Sequence, residues 1–219
     1  LITEFAMSQP LSTRERILQA SLELFNTQGE RSVTTNHIAA HLGISPGNLY
    51  YHFRNKQAIV AELFTAYEQW VGSFLHLPAG RALTLEDKAA YLQALLDAMW
   101  RYRFLHRDLE HLLDNDAQLA ERYRVFAAQT LEHARYIYQG FVDAGVLCMT
   151  PRQVEALTLN AWILASSWVR YLCTTSSAAN LDEARLHNGL YQLLALEEGF
   201  LSDDFREEVH TYMEKLAAA

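Results

Sequence analysis

Residues 45–56 read SPGNLYYHFRNK: a serine and a proline, then two adjacent tyrosines, a histidine, an arginine and a lysine. These side chains suit binding to a polyanion better than making bonds. The Asn48 amide both donates and accepts hydrogen bonds. Tyr50 and Tyr51 offer an apolar ring to a thymine methyl and a hydroxyl to a phosphate. A neutral His52 imidazole still donates one N–H. Lys56, at the start of a helix, adds a point charge beside free backbone N–H groups. Bond-making chemistry is not signalled elsewhere. There is no Gly-rich phosphate loop, nucleophile elbow or Cys-His arrangement. In HRDLEHLLDND (106–116), His106 and His111 are five apart, not the four that stacks two ligands on a helix face. Asp108 and Glu110 complete no standard metal spacing. The expectation is a binding protein, not an enzyme, with no metal and no cofactor.

Helices must position this stretch. In STRERILQASLELFNTQG, Ile17, Ala20, Ser21, Leu24 and Phe25 form one stripe, which Leu18 and Leu22 widen. Ser12 with Glu15 is a capping box, and Gly29 is a stop. Thr34 caps a second, short helix, with Val33 and Ile38 placed as a hydrophobic staple and Ile38 and Leu42 facing inward. Gly43 ends it. Ser45 caps the third helix and Pro46 takes its first position, where a missing N–H costs nothing. Ile44, Leu49 and Phe53 share its inner face. Pro46, Gly47, Asn48, Tyr50, Tyr51 and His52 are left outside, and Gly47 permits close approach. Asn55 caps a fourth helix running to about 76, with Val60, Leu63, Phe64, Tyr67, Val71 and Phe74 as its stripe. Two short helices joined at a glycine and packed on a third make a helix-turn-helix, whose second helix enters the DNA major groove.

The charge supports a polyanion partner for this part alone. The chain of 219 residues carries a formal −8. Between Met7 and Val60, however, Arg14, Arg16, Arg31, Arg54 and Lys56 outweigh Glu15, Glu23 and Glu30. A distant acidic body matters little to DNA beyond a Debye length of about 8 Å.

Helical patterns continue over about 85–103, 105–114, 117–144, 151–174, 182–198 and 202–216, broken at DNDA, GVLCMTP, TTSSAANLD and GFLSDD. No strand-period segment appears. The fold class is all-α: a three-helix helix-turn-helix head over 7–54 and a larger helical body over 55–216. LITEFA, before Met7, has neither a basic start nor a long apolar run. Residues 1–6 and 217–219 are read as additions to the natural chain. The longest uncharged run, ALTLNAWILASSWV (156–169), is shorter than the roughly 20 residues of a spanning helix. Cys148 and Cys173 are read as free thiols in a reducing, cytoplasmic compartment.

From these residues alone, DNA binding stands beside a plainer reading, since helical pairs with glycine turns also occur as packing modules. An all-helical enzyme and a non-specific DNA-binding protein are the alternatives. TTNHIAAHLGISPGNLYYHFRNKQAIVAELF resembles the DNA-binding head of the tetracycline-repressor (TetR) family of bacterial transcription regulators, a likeness covering about residues 12–64. The resemblance implies a two-fold dimer reading a palindromic operator, with half-sites about 34–36 Å apart. It implies a phosphate contact for Thr35. Asn36 stands where relatives often carry a base-reading arginine. Pro46, Gly47 and Tyr50 would lie along base edges, and Asn48, Tyr51, His52 and Lys56 would hold the backbone. Thr34 and Ser45 complete the expected DNA-binding set.

The body is then expected to dimerise and to hold a small-molecule inducer, apolar or aromatic, whose binding releases the operator. The helices at 151–174 and 182–198 would pair with their copies; Ala161, Ala165, Ser166 and Ser167 allow close approach, and Leu186, Leu190, Leu193 and Leu194 are candidate partners. Met99, Trp100, Phe104, Tyr123, Phe126, Thr130, Trp162 and Trp168 are candidate pocket residues, because such pockets are apolar with a few polar groups. Plain core packing is the other reading of these aromatics. Arg103, Arg107 and Arg170 are either carboxylate-orienting groups or surface ion-pair partners.

Overall fold

The computed structural model describes residues 11–175 and 183–218. Among them every named element is helical, apart from one isolated antiparallel bridge between Leu147 and Leu201. The chain forms two compact units, divided inside the fourth helix between Phe64 and Thr65. The sequence reading put that division at 54/55. Ile59, Val60, Leu63 and Phe64, on the head side of the division seen here, are buried apolar residues.

In the first unit, α1 (Thr13–Gln28) starts at a capping box: Glu15 N–H donates to the Ser12 hydroxyl, and Ser12 N–H donates back to the Glu15 carboxylate. The box supplies acceptors to two of the donors that a helix start leaves unmade. Ile17, Ala20, Leu24 and Phe25 are buried, as their spacing requires. A 3-10 turn over Glu30–Ser32 leads to α2 (Thr35–Leu42), capped by Thr34. Gly43 has φ 65°, the left-handed conformation that lets α2 stop and the chain turn at once. α3 (Pro46–His52) follows, and then α4 (Lys56–Phe74), where Ala58 N–H donates to the Asn55 side chain at 2.9 Å. Val33, Ile38, Leu49 and Phe53 fill the core between these helices. Leu42 and Ile44, expected inside, are only half-buried, because α2 and α3 are too short to enclose their junction.

The second unit holds α5 (Leu85–Arg101), α6 (Arg103–Asn115), α7 (Ala117–Asp143), α8 (Pro151–Thr175), α9 (Glu183–Glu197) and α10 (Asp203–Ala218). The break between α5 and α6 falls at Tyr102, and Asp116 caps α7 by accepting from Gln118 N–H and Leu119 N–H, each at 3.0 Å. Leu96, Met99, Ile137, Phe141, Val169, Leu186, Leu190 and Leu194 form its core. The 3-10 turn Glu198–Phe200 is pinned to the α7–α8 connection: Cys148 N–H donates to Phe200 O at 2.7 Å and Ser202 N–H to Val146 O at 3.1 Å. Part of the expected break TTSSAANLD lies outside the described residues.

This core encloses a charged pair. Lys88 and Glu197 form an ion pair with both side chains buried. The Tyr138 hydroxyl donates to Glu197 at 3.0 Å, and the ammonium sits 4.5 Å from the centre of the Phe141 ring. A buried charge is tolerated where a partner and further hydrogen bonds replace water.

Candidate nucleic-acid interface

α3 owes its start to Ser45, whose hydroxyl accepts from Asn48 N–H at 3.1 Å, and to Pro46 in the first turn. Leu49 and Phe53 are its buried anchors. Fixing those two leaves Pro46, Gly47, Asn48, Tyr50 and Tyr51 exposed. Tyr51 is 86% exposed, in contact with the edge of His52 at a ring separation of 5.1 Å. An aromatic side chain so little covered contributes almost nothing to the core. A Cβ built on Gly47 would meet only the Ser45 hydroxyl, at 3.9 Å, so packing within the head does not demand glycine there.

The first turn of α2 adds to this face. Thr34 accepts from His37 N–H at 3.2 Å, and the His37 ring nitrogen Nδ1 accepts from Thr34 N–H at 3.4 Å, a capping box with histidine in the usual place of a carboxylate. The Thr35 hydroxyl lies 3.0 Å from that of Tyr50, so α2 and α3 are joined through two residues of the expected contact set. Asn36 is exposed beside them.

Lys56 is engaged within the head. Its ammonium donates to Glu30 O at 2.9 Å and Val33 O at 3.0 Å, and pairs with the Glu30 carboxylate at 2.7 Å. An ammonium has three protons, and three acceptors from the α1–α2 connection occupy them. Arg14 is likewise engaged, by Glu62 and by the Phe53 ring. Arg54, counted in the head's positive charge but not among the expected contacts, is exposed directly after Phe53. Its position in the same basic stretch was the available signal.

The expected pocket residues all lie in the second unit. Tyr123, Phe126 and Trp162 come together, with successive ring separations of 6.2 and 6.4 Å. Tyr67 joins them against Phe126, and its hydroxyl lies 3.2 Å from His106 Nε2. Burial holds the His106 imidazole down to about 4, partly opposed by a hydrogen bond to the Ser166 backbone, and pushes the Tyr67 phenol up. Both groups are uncharged at neutral pH. The sequence reading gave Tyr67 to the core and His106 to the metal check; only the fold brings α4 and α6 together here.

Met99 is part of the main core, and Trp100 packs against it under the Arg103 guanidinium. Phe104 is fully buried and Thr130 half-buried. Trp168 stacks on Tyr171 and donates to Arg185 O at 3.3 Å, filling the space that Gly189 leaves. Arg170 pairs with Glu110 and Arg107 with Asp108. A cavity of about 180 Å³, lined in part by Leu85, Lys88, Leu194, Val209 and Tyr212, contains none of the expected pocket residues. Among the described residues, no group of three or more His, Cys, Asp or Glu is placed to hold a metal, and no helix is long and apolar enough to cross a membrane.

A short helix with an apolar inner face and an aromatic, polar outer one, set after a glycine turn, defines a helix-turn-helix DNA-binding protein. Residues 17–63 match the family profile described as bacterial regulatory proteins, tetR family, and residues 66–209 match that of the bacterial transcriptional repressor. The chain belongs to the tetR family of bacterial regulatory proteins.

A TetR-family regulator from Marinobacter aquaeolei is 45% identical, with a TM-score of 0.87 over 94% of this chain and 99% of that one. The HTH-type transcriptional repressor KstR2 of Mycolicibacterium smegmatis is 36% identical over 64 residues, covering 29% of this chain and 31% of the relative. KstR2 of Rhodococcus jostii is 30% identical over 142 residues, 61% of this chain and 65% of the relative. The ketosteroid regulator KstR2 of Mycobacterium tuberculosis shares the fold, with a TM-score of 0.64 over 89% of this chain and 98% of that one, at 17% identity.

Proposed function

We infer that this protein is a transcriptional repressor that binds a palindromic operator as a homodimer and releases it when a small molecule binds the second unit. The observation that carries the reading is the outer face of α3. Tyr51 is exposed, Tyr50 is tied to Thr35, and Gly47 is not required by packing. Folding alone gives no reason for these residue types in this order. Thr34, Thr35, Asn36, Ser45, Pro46, Gly47, Asn48, Tyr50, Tyr51 and His52 form the proposed contact surface, to which Arg54 is added. The protein would act in the cytoplasm, where its DNA is.

For the dimer, support comes from α8, where Leu159, Ile163 and Tyr171 are 47%, 53% and 53% exposed. Leu159 and Ile163 are one turn apart and share a face. A second copy of α8 and α9 would cover it. For the effector, support comes from the Tyr67, His106, Tyr123, Phe126 and Trp162 cluster. Its rings are largely apolar, and the hydrogen-bonded pair Tyr67 and His106 is neutral. An uncharged aromatic or largely apolar molecule suits these walls. Effector and operator affinity are coupled reciprocally, so a molecule that releases DNA must bind the DNA-bound form more weakly, by the same factor.

The test begins with a duplex enriched from a random-sequence library on the full-length protein. Footprinting should show two protected half-sites related by a dyad, with random duplex bound far more weakly at matched salt. Equal affinity for enriched and random duplexes would sink the reading.

A further inference from the structure

We propose that Lys56 is a positioning residue, latching the α1–α2 connection to the start of α4 and so fixing the DNA-facing turns of α2 and α3. The proposal rests on the DNA-binding reading above. Its geometry is independent of it.

The latch closes a loop that contains α2 and α3. At one end are Glu30 and Val33, the residues just before the Thr34 cap. At the other is Lys56, the first residue of α4. Glu30 is a buried carboxylate, with its side chain 6% exposed, and the Lys56 side chain is 23% exposed. Glu30 O also accepts from Val33 N–H at 3.2 Å, so the ammonium reinforces the 3-10 turn itself. A phosphate could recruit Lys56 only by taking it from acceptors it already holds, leaving the Glu30 carboxylate without this cation. Charge-assisted hydrogen bonds of this kind are the stronger ones, and removing one partner of a buried pair is costly.

The two roles predict opposite results. If Lys56 were a phosphate ligand, Glu30→Gln would release it and remove a negative charge near DNA, leaving affinity equal or higher. A Lys56→Arg variant would keep its charge and bind nearly normally. As a latch, Glu30→Gln weakens binding by about tenfold, the scale of one charge-assisted hydrogen bond. Lys56→Arg also weakens it, because a planar fork does not fit three convergent acceptors. A lost phosphate contact lowers the salt slope, log K against log salt, by about one. The latch variants keep the wild-type slope.

The experiment measures affinity and salt slope on the library-enriched duplex for wild type, Glu30→Gln and Lys56→Arg. Amide hydrogen exchange at Ser32 and Val33 is followed without DNA. Faster exchange in both variants, weaker binding and an unchanged salt slope are expected. Unchanged exchange overturns the latch whether or not the protein binds DNA. Faster exchange with full affinity overturns its positioning role. Faster exchange in a protein whose wild type selects no duplex overturns the DNA-binding reading, and the positioning role with it.

Discussion

The hydroxyls of Thr35 and Tyr50 lie 3.0 Å apart, a hydrogen bond between the first residue of α2 and the middle of α3. Tyr50 is 49% exposed, so the bond sits at the surface and not in the core. It orients two proposed DNA contacts before DNA arrives. Tyr50→Phe keeps the ring and loses the bond. Operator affinity should fall by about fivefold for the lost pre-organisation, and stability by no more than about 1 kcal/mol, the net worth of one neutral hydrogen bond. Thr35→Val should do the same, and the double variant should lose less than the sum of the two. Mobility shifts on the enriched duplex, as a double-mutant cycle, check this.

Tyr51 separates binding from folding more sharply. Its ring is nearly uncovered, so Tyr51→Ala should change stability by no more than about 0.5 kcal/mol. Operator affinity should drop by about tenfold, as for a lost specific contact. Denaturant unfolding and binding isotherms on the same preparation test both halves. A large loss of stability would assign the ring a packing role.

Much of the head was legible in the sequence because its signals are local. Ser12 with Glu15, Thr34, Gly43, Ser45 with Pro46, and Asn55 each act within four residues of themselves, and each cap forms. The contacts of Lys56 were not legible, because its partners, Glu30 and Val33, are distant in sequence. A lysine at a helix start signals charge but not what neutralises it. The body shows the same limit. Tyr123 and Phe126 are neighbours on one helix face, but Tyr67 and His106 meet only through packing of α4 on α6. The seat of Trp168 depends on Gly189, 21 residues further along the chain, which its own neighbours in sequence do not signal.

Leu159→Glu with Ile163→Glu should split the dimer. Both positions are half exposed within one chain, so the substitutions should leave the fold intact, at a cost of about 0.5 kcal/mol or less each. Placed against a second copy they would bury like charges. Sedimentation should then report a monomer with unchanged helix content and greatly weakened operator binding. A variant that stays dimeric would move the interface elsewhere.

The Lys88–Glu197 pair predicts an asymmetry in stability. Lys88→Met leaves a buried carboxylate with only the Tyr138 hydroxyl, and should cost about 3–5 kcal/mol. Adding Glu197→Gln removes the stranded charge and still accepts from Tyr138. The double variant should therefore be more stable than Lys88→Met alone. Chemical denaturation at constant pH orders the three proteins.

His106 predicts how stability follows pH. Burial lowers its folded-state value from 6.5 to about 4. Between those limits the unfolded chain binds a proton that the folded chain does not, so stability falls as pH drops. The contribution is complete above about 6.5 and is lost progressively down to about 4. Carboxylates elsewhere add their own pH dependence, but they are common to wild type and variant. His106→Phe removes this one titration, keeps a ring beside Tyr67, and should flatten the slope across that window. Unfolding midpoints at pH 7 and pH 5, compared between the two proteins, isolate the difference. Equal slopes would mean that the imidazole takes up its proton in place, with water or the Ser166 backbone carrying the charge that burial is expected to forbid.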